Sequence, residues 1–267
     1  MKHRHLLPAL TLTLLSALLP DAAQAQAPGT AEAPAYLNAC TPIDMTTPVT
    51  DAQRETALYG KTLVIIGDSY VRNHRGRIED TWHYRVAQKY HMPYYNYGKN
   101  GNCIAFDRPR WGVAMLHRYQ EMRPDADYVI VVAGHNDADY MELRDMDTAS
   151  MSTREKARLR AELRTQFRDS LTAFVDALIA RYPAARLAFV TPWNVGRAGF
   201  ADMHRILTEV LASRSVPYFD AAHRSGIYVN DAAFRRRFFQ GPDDTAHLNP
   251  EGHRLVQNKL ETFLLGL

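Results

Sequence analysis

The feature that most constrains the fold of this sequence is an apolar run that ends in a polar turn. Residues 63–66 are four consecutive aliphatic residues, and Gly67-Asp68-Ser69 follows them directly. An uninterrupted apolar run of this length is typical of a strand that is buried on both faces, as at the centre of a parallel sheet. Open α/β sheets bind their ligands beyond the carboxyl ends of the strands, so Ser69 is predicted to lie at such a place.

Strand-like and helix-like segments alternate along the rest of the chain. Apolar or aromatic runs predict further strands at residues 92–97, 126–133, 186–191 and 216–219. The spacing of apolar residues predicts helices at 53–59, 77–90, 109–122, 152–182, 200–213 and 250–264. This alternation predicts one α/β domain of three layers (α/β/α), in which helices cover both faces of a five-stranded parallel sheet.

The N-terminus carries the features of an export signal. A positively charged start precedes the apolar stretch 6–19, and Ala23-Gln24-Ala25 offers a small-residue cleavage site, so residues 1–25 are predicted to be a signal peptide. The apolar stretch is too short to span a membrane, and no stable membrane insertion is expected. Residues 26–52, rich in alanine, proline and threonine, are predicted to form a linker or N-terminal arm before the domain at 53–267. The protein is therefore expected to be exported, to the periplasm or the extracellular space.

Two cysteines, Cys40 and Cys103, bear on the same question of compartment. In an oxidising compartment such a pair can form a disulfide, which is the interpretation that we favour. Two buried thiols are the alternative.

Charge and histidine spacing argue against two kinds of partner. The formal net charge is +3, and the basic residues are scattered apart from Arg235-Arg236-Arg237, so no nucleic-acid surface is expected. Several histidines show no metal-ligand spacing with acids or cysteines, and no metal site is predicted from them. These histidines are His74, His83, His91, His117, His204, His223 and His253.

Ser69 is a candidate nucleophile, and the chain supplies the groups that such a serine needs. Asp244 precedes His247 by three residues, a spacing that lets the carboxylate orient the imidazole, which can then accept the serine proton. Donors for an oxyanion are the backbone N–H of Ser69, the loop residue Gly101 and the side-chain amide of Asn136. Each motif alone has an ordinary structural explanation: a capped turn, a turn asparagine or a surface ion pair. Their order, and their positions after apolar strands, favour a catalytic site.

Four sequence blocks resemble those of the SGNH hydrolase family, within the GDSL esterase/lipase group. The blocks are Gly67-Asp68-Ser69, Asn96-Tyr97-Gly98-Lys99-Asn100-Gly101, Gly134-His135-Asn136-Asp137 and Asp244-Thr245-Ala246-His247. The resemblance implies a flavodoxin-like sandwich, a Ser-His-Asp triad and ester hydrolysis without a metal or other cofactor. Tyr70 departs from the small or aliphatic residue that is usual in the first block, which suggests an aromatic pocket wall. Asp68 is interpreted as a structural residue of the turn.

Residues flanking the blocks are candidates for substrate contact, with packing beneath the site as the alternative for each. They are Tyr70, Arg72, His135 and Trp193, followed by Asn73, Asn194, Phe239 and Gln240. The expected function is a secreted serine esterase that acts on a small-molecule or polysaccharide ester, with short acyl (acetyl) groups on a carbohydrate favoured. The alternatives are a lysophospholipase or broad-range lipase, an O-acyltransferase and a non-enzymatic carbohydrate-binding module.

Overall fold

A computed structural model describes residues 39–144 and 146–267. The predicted signal peptide, and the predicted arm up to residue 38, lie outside the described residues. The sheet has five parallel strands, in the order β2-β1-β3-β4-β5. They are β1 (Leu63–Gly67), β2 (Tyr94–Gly98), β3 (Tyr128–Val132), β4 (Arg186–Val190) and β5 (Tyr218–Phe219). The predicted five-stranded parallel sheet is therefore confirmed.

Ten α-helices accompany the sheet in the described part of the chain. They are α1 (Asp51–Arg54), α2 (Ser69–Arg72), α3 (Trp82–Lys89), α4 (Met115–Arg118), α5 (His135–Met141), α6 (Thr153–Arg181), α7 (Phe200–Ser213), α8 (Ala221–Arg224), α9 (Ala232–Phe238) and α10 (Pro250–Leu265). Within these residues, the helices cover both faces of the sheet, which confirms the α/β/α prediction.

The two faces of the sheet bury two separate apolar cores. Successive side chains of β1 alternate between the two cores. Val64 and Ile66 pack in the core that contains helices α4, α5, α6 and α7, whereas Leu63 and Ile65 pack in the core that contains α3 and α10. All four side chains are at most 1% exposed. Burying an aliphatic side chain of this size stabilises the fold by about 1.5–3 kcal/mol. The apolar run in the sequence is therefore the centre of the three-layer packing.

Some predicted elements differ from the structure. The helix predicted at 109–122 is wrong over most of its length, because residues Arg108 to Gly112 form a tight turn in which Gly112 has a φ of +87°. Only Met115–Arg118 is α-helical there, and a 3-10 turn at Tyr119–Glu121 follows it. The helix predicted at 53–59 ends at Arg54.

Cys40 and Cys103 are both free thiols, so the disulfide that we favoured is wrong. Cys103 is fully buried in the core on the α6 side of the sheet, whereas Cys40 is exposed. The backbone of Cys40 pairs with Tyr95 of β2, and the N–H of Thr41 donates to the carbonyl of Tyr94 at 3.1 Å. The described end of the N-terminal arm thus covers the edge of the sheet through backbone contacts.

The loops that follow the strands meet at the carboxyl edge of the sheet. Ser69 follows β1, Gly101 follows β2 and Asn136 follows β3. None of the helices among residues 39–144 and 146–267 is long and apolar enough to cross a membrane.

Candidate active site

Ser69 is placed at the first turn of α2 by a tight connection from β1. A Cβ atom on Gly67 would lie 2.3 Å from the carbonyl oxygen of Val132, so only glycine fits between β1 and β3 at this point. Asp68 caps α2, because its Oδ1 accepts the N–H of Tyr70 at 2.9 Å. The cap fixes the turn, and Ser69 lies at the rim with 6% exposure.

His247 and Asp244 complete a hydrogen-bonded line that starts at Ser69. The distance from His247 Nε2 to Ser69 Oγ is 3.0 Å, and that from His247 Nδ1 to Asp244 Oδ2 is 2.9 Å. The other carboxylate oxygen, Oδ1, accepts the backbone N–H groups of Ala246 and His247 at 2.8 and 2.9 Å. The spacing of three residues therefore lets one aspartate fix both the turn and the imidazole.

The charge of Asp244 is secured by these donors. Partial burial acts to raise the pKa of its carboxyl, but the hydrogen bonds from the His247 side chain and backbone outweigh burial and lower the pKa to about 2. Asp244 is therefore a carboxylate over the whole physiological range and can stabilise a positive charge on His247.

The proposed oxyanion donors meet at the same rim, and Arg108 joins two of them. Arg108 Nη1 donates to the carbonyl of Gly101 at 3.1 Å and to Asn136 Oδ1 at 3.3 Å. Asn136 Nδ2 donates to Asp68 Oδ2 and to the carbonyl of Asn102, both at 3.1 Å. The side-chain amide of Asn136 is thus held in one orientation from both ends. Arg108 was not predicted, because nothing in its local sequence marks it.

Gly101 needs to be glycine for two reasons. Its φ is +71°, and a Cβ atom would lie 2.3 Å from the indole ring of Trp111. The left-handed backbone and the close indole both exclude a side chain at this position.

Two buried carboxyls lie beneath the rim. Burial raises the pKa of Asp68 and of Asp137 to about 7, and the nearby Asp137 adds to the effect on Asp68. Asp137 accepts the backbone N–H groups of Ile104 and Ala105 at 2.9 and 3.0 Å, so it anchors the loop after Gly101. The contacts of Asp68 agree with its predicted structural role in the turn.

The predicted substrate-contact residues separate into two groups. Tyr70 stacks on Trp193 with ring centroids 4.3 Å apart, and its hydroxyl lies 3.3 Å from Nδ1 of His135. Burial lowers the pKa of His135 to about 3, and the positive charge of Arg197 acts in the same direction. Arg72, in contrast, is exposed at the end of α2.

Trp193 also contacts the loop that carries Asp244 and His247. Its indole Nε1 donates to the carbonyl of Thr245 at 3.1 Å, and only 9% of the residue is exposed. This contact supports the loop that carries Asp244 and His247. Such burial is closer to the packing alternative than to an exposed stacking platform.

Two cavities adjoin the site. A small apolar cavity of about 20 Å³, room for roughly one water molecule, is bounded by Ser69, Tyr70, Trp193 and His247. A larger, open cleft of about 690 Å³ lies on the oxyanion side. This cleft is lined by Gly101 and Asn136 and by Arg108, Arg110, Arg144 and Arg197.

The fold brings together two groups of histidines whose proximity was not predicted from the sequence. His74 stacks on His247, with ring centroids 4.1 Å apart. Elsewhere, Asp220 accepts hydrogen bonds from His204 and His223 at 3.0 and 2.8 Å, and the nearest ligand atoms of these three side chains lie within 4.8 Å of one another. His74 and His247 are 173 residues apart, and His204 lies 16 residues before Asp220, so only the fold brings these groups together. Asp220 and His223, in contrast, have the same three-residue spacing as Asp244 and His247.

A family model described as the GDSL-like lipase/acylhydrolase family matches residues 65–255. No curated protein matches the sequence.

Solved structures share the fold at low identity. A protein from Lactobacillus plantarum is 22% identical with a TM-score of 0.61, and the match covers 77% of this chain and 97% of that one. An acetyl xylan esterase from the rumen bacterium Butyrivibrio proteoclasticus is 13% identical with a TM-score of 0.53, covering 78% and 64%. A family two carbohydrate esterase from Clostridium thermocellum, solved as an active-site mutant, is 14% identical with a TM-score of 0.52, covering 78% and 64%. At these identities the likeness concerns the fold alone.

Proposed function

The chain belongs to the GDSL-like lipase/acylhydrolase family, and we propose that it is an exported serine esterase with Ser69, His247 and Asp244 as its catalytic triad. The observation that carries the proposal is the line of hydrogen bonds from Ser69 Oγ through His247 to Asp244, at 3.0 and 2.9 Å. Both distances lie within the range needed for proton transfer from a nucleophile to its base.

The first half of the reaction forms an acyl-enzyme. Ser69 Oγ attacks the ester carbonyl while His247 Nε2 takes the hydroxyl proton, and the resulting imidazolium is stabilised by the Asp244 carboxylate. The tetrahedral intermediate then collapses, the bond to the alcohol oxygen breaks, and His247 returns the proton to that oxygen. In the second half, water attacks the acyl carbonyl while His247 Nε2 takes one of its protons. The bond from the carbonyl carbon to Ser69 Oγ then breaks, His247 returns the proton to Oγ, and the acid is released.

The negative oxygen of the intermediate needs donors that are already in place. The backbone N–H groups of Ser69 and Gly101 and the Nδ2 group of Asn136 are proposed for this role. The two existing bonds of Asn136 Nδ2, at 3.1 Å, are on the long side for N–H donors. A charged oxygen can therefore compete for one of these hydrogens, while Arg108 holds the other end of the amide.

The proposed substrate class is a carbohydrate ester with a short acyl group. The apolar cavity that borders Ser69 and His247 has room for roughly one water molecule, about 20 Å³, which favours a short acyl group on that side of the site. Two proteins of similar fold, an acetyl xylan esterase and a carbohydrate esterase, point in the same direction. Export is proposed from the sequence of residues 1–25.

The test compares hydrolysis of 4-nitrophenyl acetate, butyrate and octanoate, followed by release of acetate from acetylated xylan. We expect kcat/KM to be highest for the acetate and to fall by about 10⁴-fold or more in Ser69→Ala. Ser150→Ala, in an exposed turn, is the matched control and should match the native protein. Equal rates in Ser69→Ala and the native protein would exclude the triad, and a preference for octanoate would favour the lipase alternative.

A further inference from the structure

The open cleft beside the oxyanion donors has an unbalanced positive charge. Among the residues that line it, four arginines face a single carboxylate, that of Asp139. Arg110 is exposed, and the side chain of Arg144 is 62% exposed, so both guanidinium groups are accessible to a ligand.

Asp139 cannot neutralise the cleft, because two arginines already share it. Arg197 pairs with its Oδ2 atom, and Arg144 approaches both carboxylate oxygens at 3.4 Å, a long distance for a charged hydrogen bond. The Asp139 side chain is only 10% exposed. A planar anion entering the cleft would therefore find Arg144 weakly engaged and able to turn toward it.

Another part of the cleft lining combines charge with an aromatic surface. The Arg110 guanidinium lies 4.7 Å from the centre of the Trp111 ring, and both residues line the cleft. Aromatic rings next to guanidinium groups suit a sugar ring that carries a carboxylate, because the ring can stack while the carboxylate pairs with arginine. Gly101 and Asn136 line the same cleft, so a group bound there lies next to the ester carbonyl.

We propose that the natural ester carries a carboxylate close to its ester group, as an acetylated uronic acid unit does, and that Arg110 and Arg144 bind this carboxylate. The inference rests on the proposed esterase function and narrows its substrate class. The carboxylate belongs either to the alcohol part of the ester or to its acyl part. The two positions share the same binding chemistry and are separated by experiment.

The kinetic test uses matched pairs of neutral and anionic esters. Phenyl acetate against 4-acetoxybenzoate places the carboxylate on the alcohol part, and phenyl butyrate against monophenyl glutarate places it on the acyl part. We expect kcat/KM to favour the anionic member of one pair by about tenfold at low salt, and the preference to decrease as salt is added. The doubly substituted Arg110→Gln/Arg144→Gln protein should lose this preference, whereas Arg158→Gln, on the exposed face of α6, should keep it.

A binding measurement keeps the inference independent of turnover. Titration calorimetry of the Ser69→Ala protein with trigalacturonate and with cellotriose should detect the acidic trisaccharide alone, and the double arginine variant should not bind it. Equal binding of both trisaccharides, or of neither, would overturn the placement of the carboxylate on the alcohol part. Equal kcat/KM within both ester pairs would overturn the inference as a whole. If Ser69 hydrolyses neutral esters as fast as anionic ones, the binding of a carboxylate is refuted and the esterase proposal stands. No hydrolysis of any ester would refute the esterase proposal instead.

Discussion

The imidazole of His74 lies flat against that of His247, with ring centroids 4.1 Å apart and an interplanar angle of 14°. Burial lowers the pKa of His74, and the charge of His247 lowers it further. The ring of His74 is therefore neutral near pH 7 and does not oppose the positive charge that His247 gains during the proposed reaction. The backbone φ of His74, +40°, is in the left-handed region directly after the end of α2.

A permanent charge at position 74 should slow the enzyme. We expect His74→Lys to reduce kcat/KM for 4-nitrophenyl acetate by about tenfold, because a like charge near His247 disfavours its protonated form. The acid limb of the pH profile should move to lower pH for the same reason. His74→Phe retains the stacking without a charge and is the control. Native activity and an unmoved profile in His74→Lys would contradict this account of the stack.

Replacement of the orienting acid should remove activity without unfolding the protein. In Asp244→Asn, the amide oxygen can still accept the backbone N–H groups of Ala246 and His247, so the turn is retained. The NH₂ group, however, would face His247 Nδ1 and favour the tautomer that cannot accept the serine proton. We expect kcat/KM to fall by about 10³–10⁴-fold with an unchanged melting temperature. The neighbouring exposed residue supplies the control, Asp243→Asn, and an equal loss there would contradict the assignment.

Gly101→Ala tests the oxyanion loop through its backbone. The added methyl group would meet the Trp111 ring at 2.3 Å, and the φ of +71° is unfavourable for alanine. We expect the loop to shift and kcat/KM to fall by about 10²-fold, as when one oxyanion donor is lost. Gly60→Ala is the matched control, because Gly60 has a φ of +68° but nothing within 4 Å of its Cβ position. That variant should lose stability through backbone strain and keep its activity.

Arg108 is expected to act as a positioning residue for the oxyanion donors. Arg108→Met removes the hydrogen bonds to Gly101 and Asn136 while it retains much of the side-chain volume. On a neutral ester we expect kcat to fall by about 10–100-fold with little change in KM, because these bonds support the transition state rather than the bound substrate. Arg108→Lys should recover part of the loss. A change confined to KM would place Arg108 in substrate binding instead.

The sheet and the four polar blocks could be predicted because both depend on short-range patterns. The run of Leu63 to Ile66 has to be buried, and the carboxyl ends of parallel strands share one edge, so Ser69, Gly101 and Asn136 were expected to converge. The supporting contacts could not be predicted. Arg108 and His74 act on residues that are distant in sequence or lie in irregular loops, and neither residue belongs to a periodic pattern. The disulfide was wrong for a related reason, since cysteine counting does not reveal that Cys103 is enclosed in the core.

The buried carboxyl of Asp137 should leave a signature in the pH dependence of stability. Burial raises its pKa to about 7, whereas an aspartate in the unfolded chain has a pKa of about 3.9. Between these values the folded state retains a proton that the unfolded state has lost, so this contribution to the unfolding free energy is full below pH 4 and is lost as the pH rises to 7. Buried His135 and His253, whose pKa values burial lowers to about 3, change stability in the opposite direction over the same range.

The informative quantity is therefore the difference in unfolding free energy between native protein and Asp137→Asn, measured by urea unfolding from pH 4.5 to 7.5. We expect native minus variant stability to fall as the pH rises, and a constant difference, as expected for exposed Asp243→Asn, would contradict a raised pKa at Asp137.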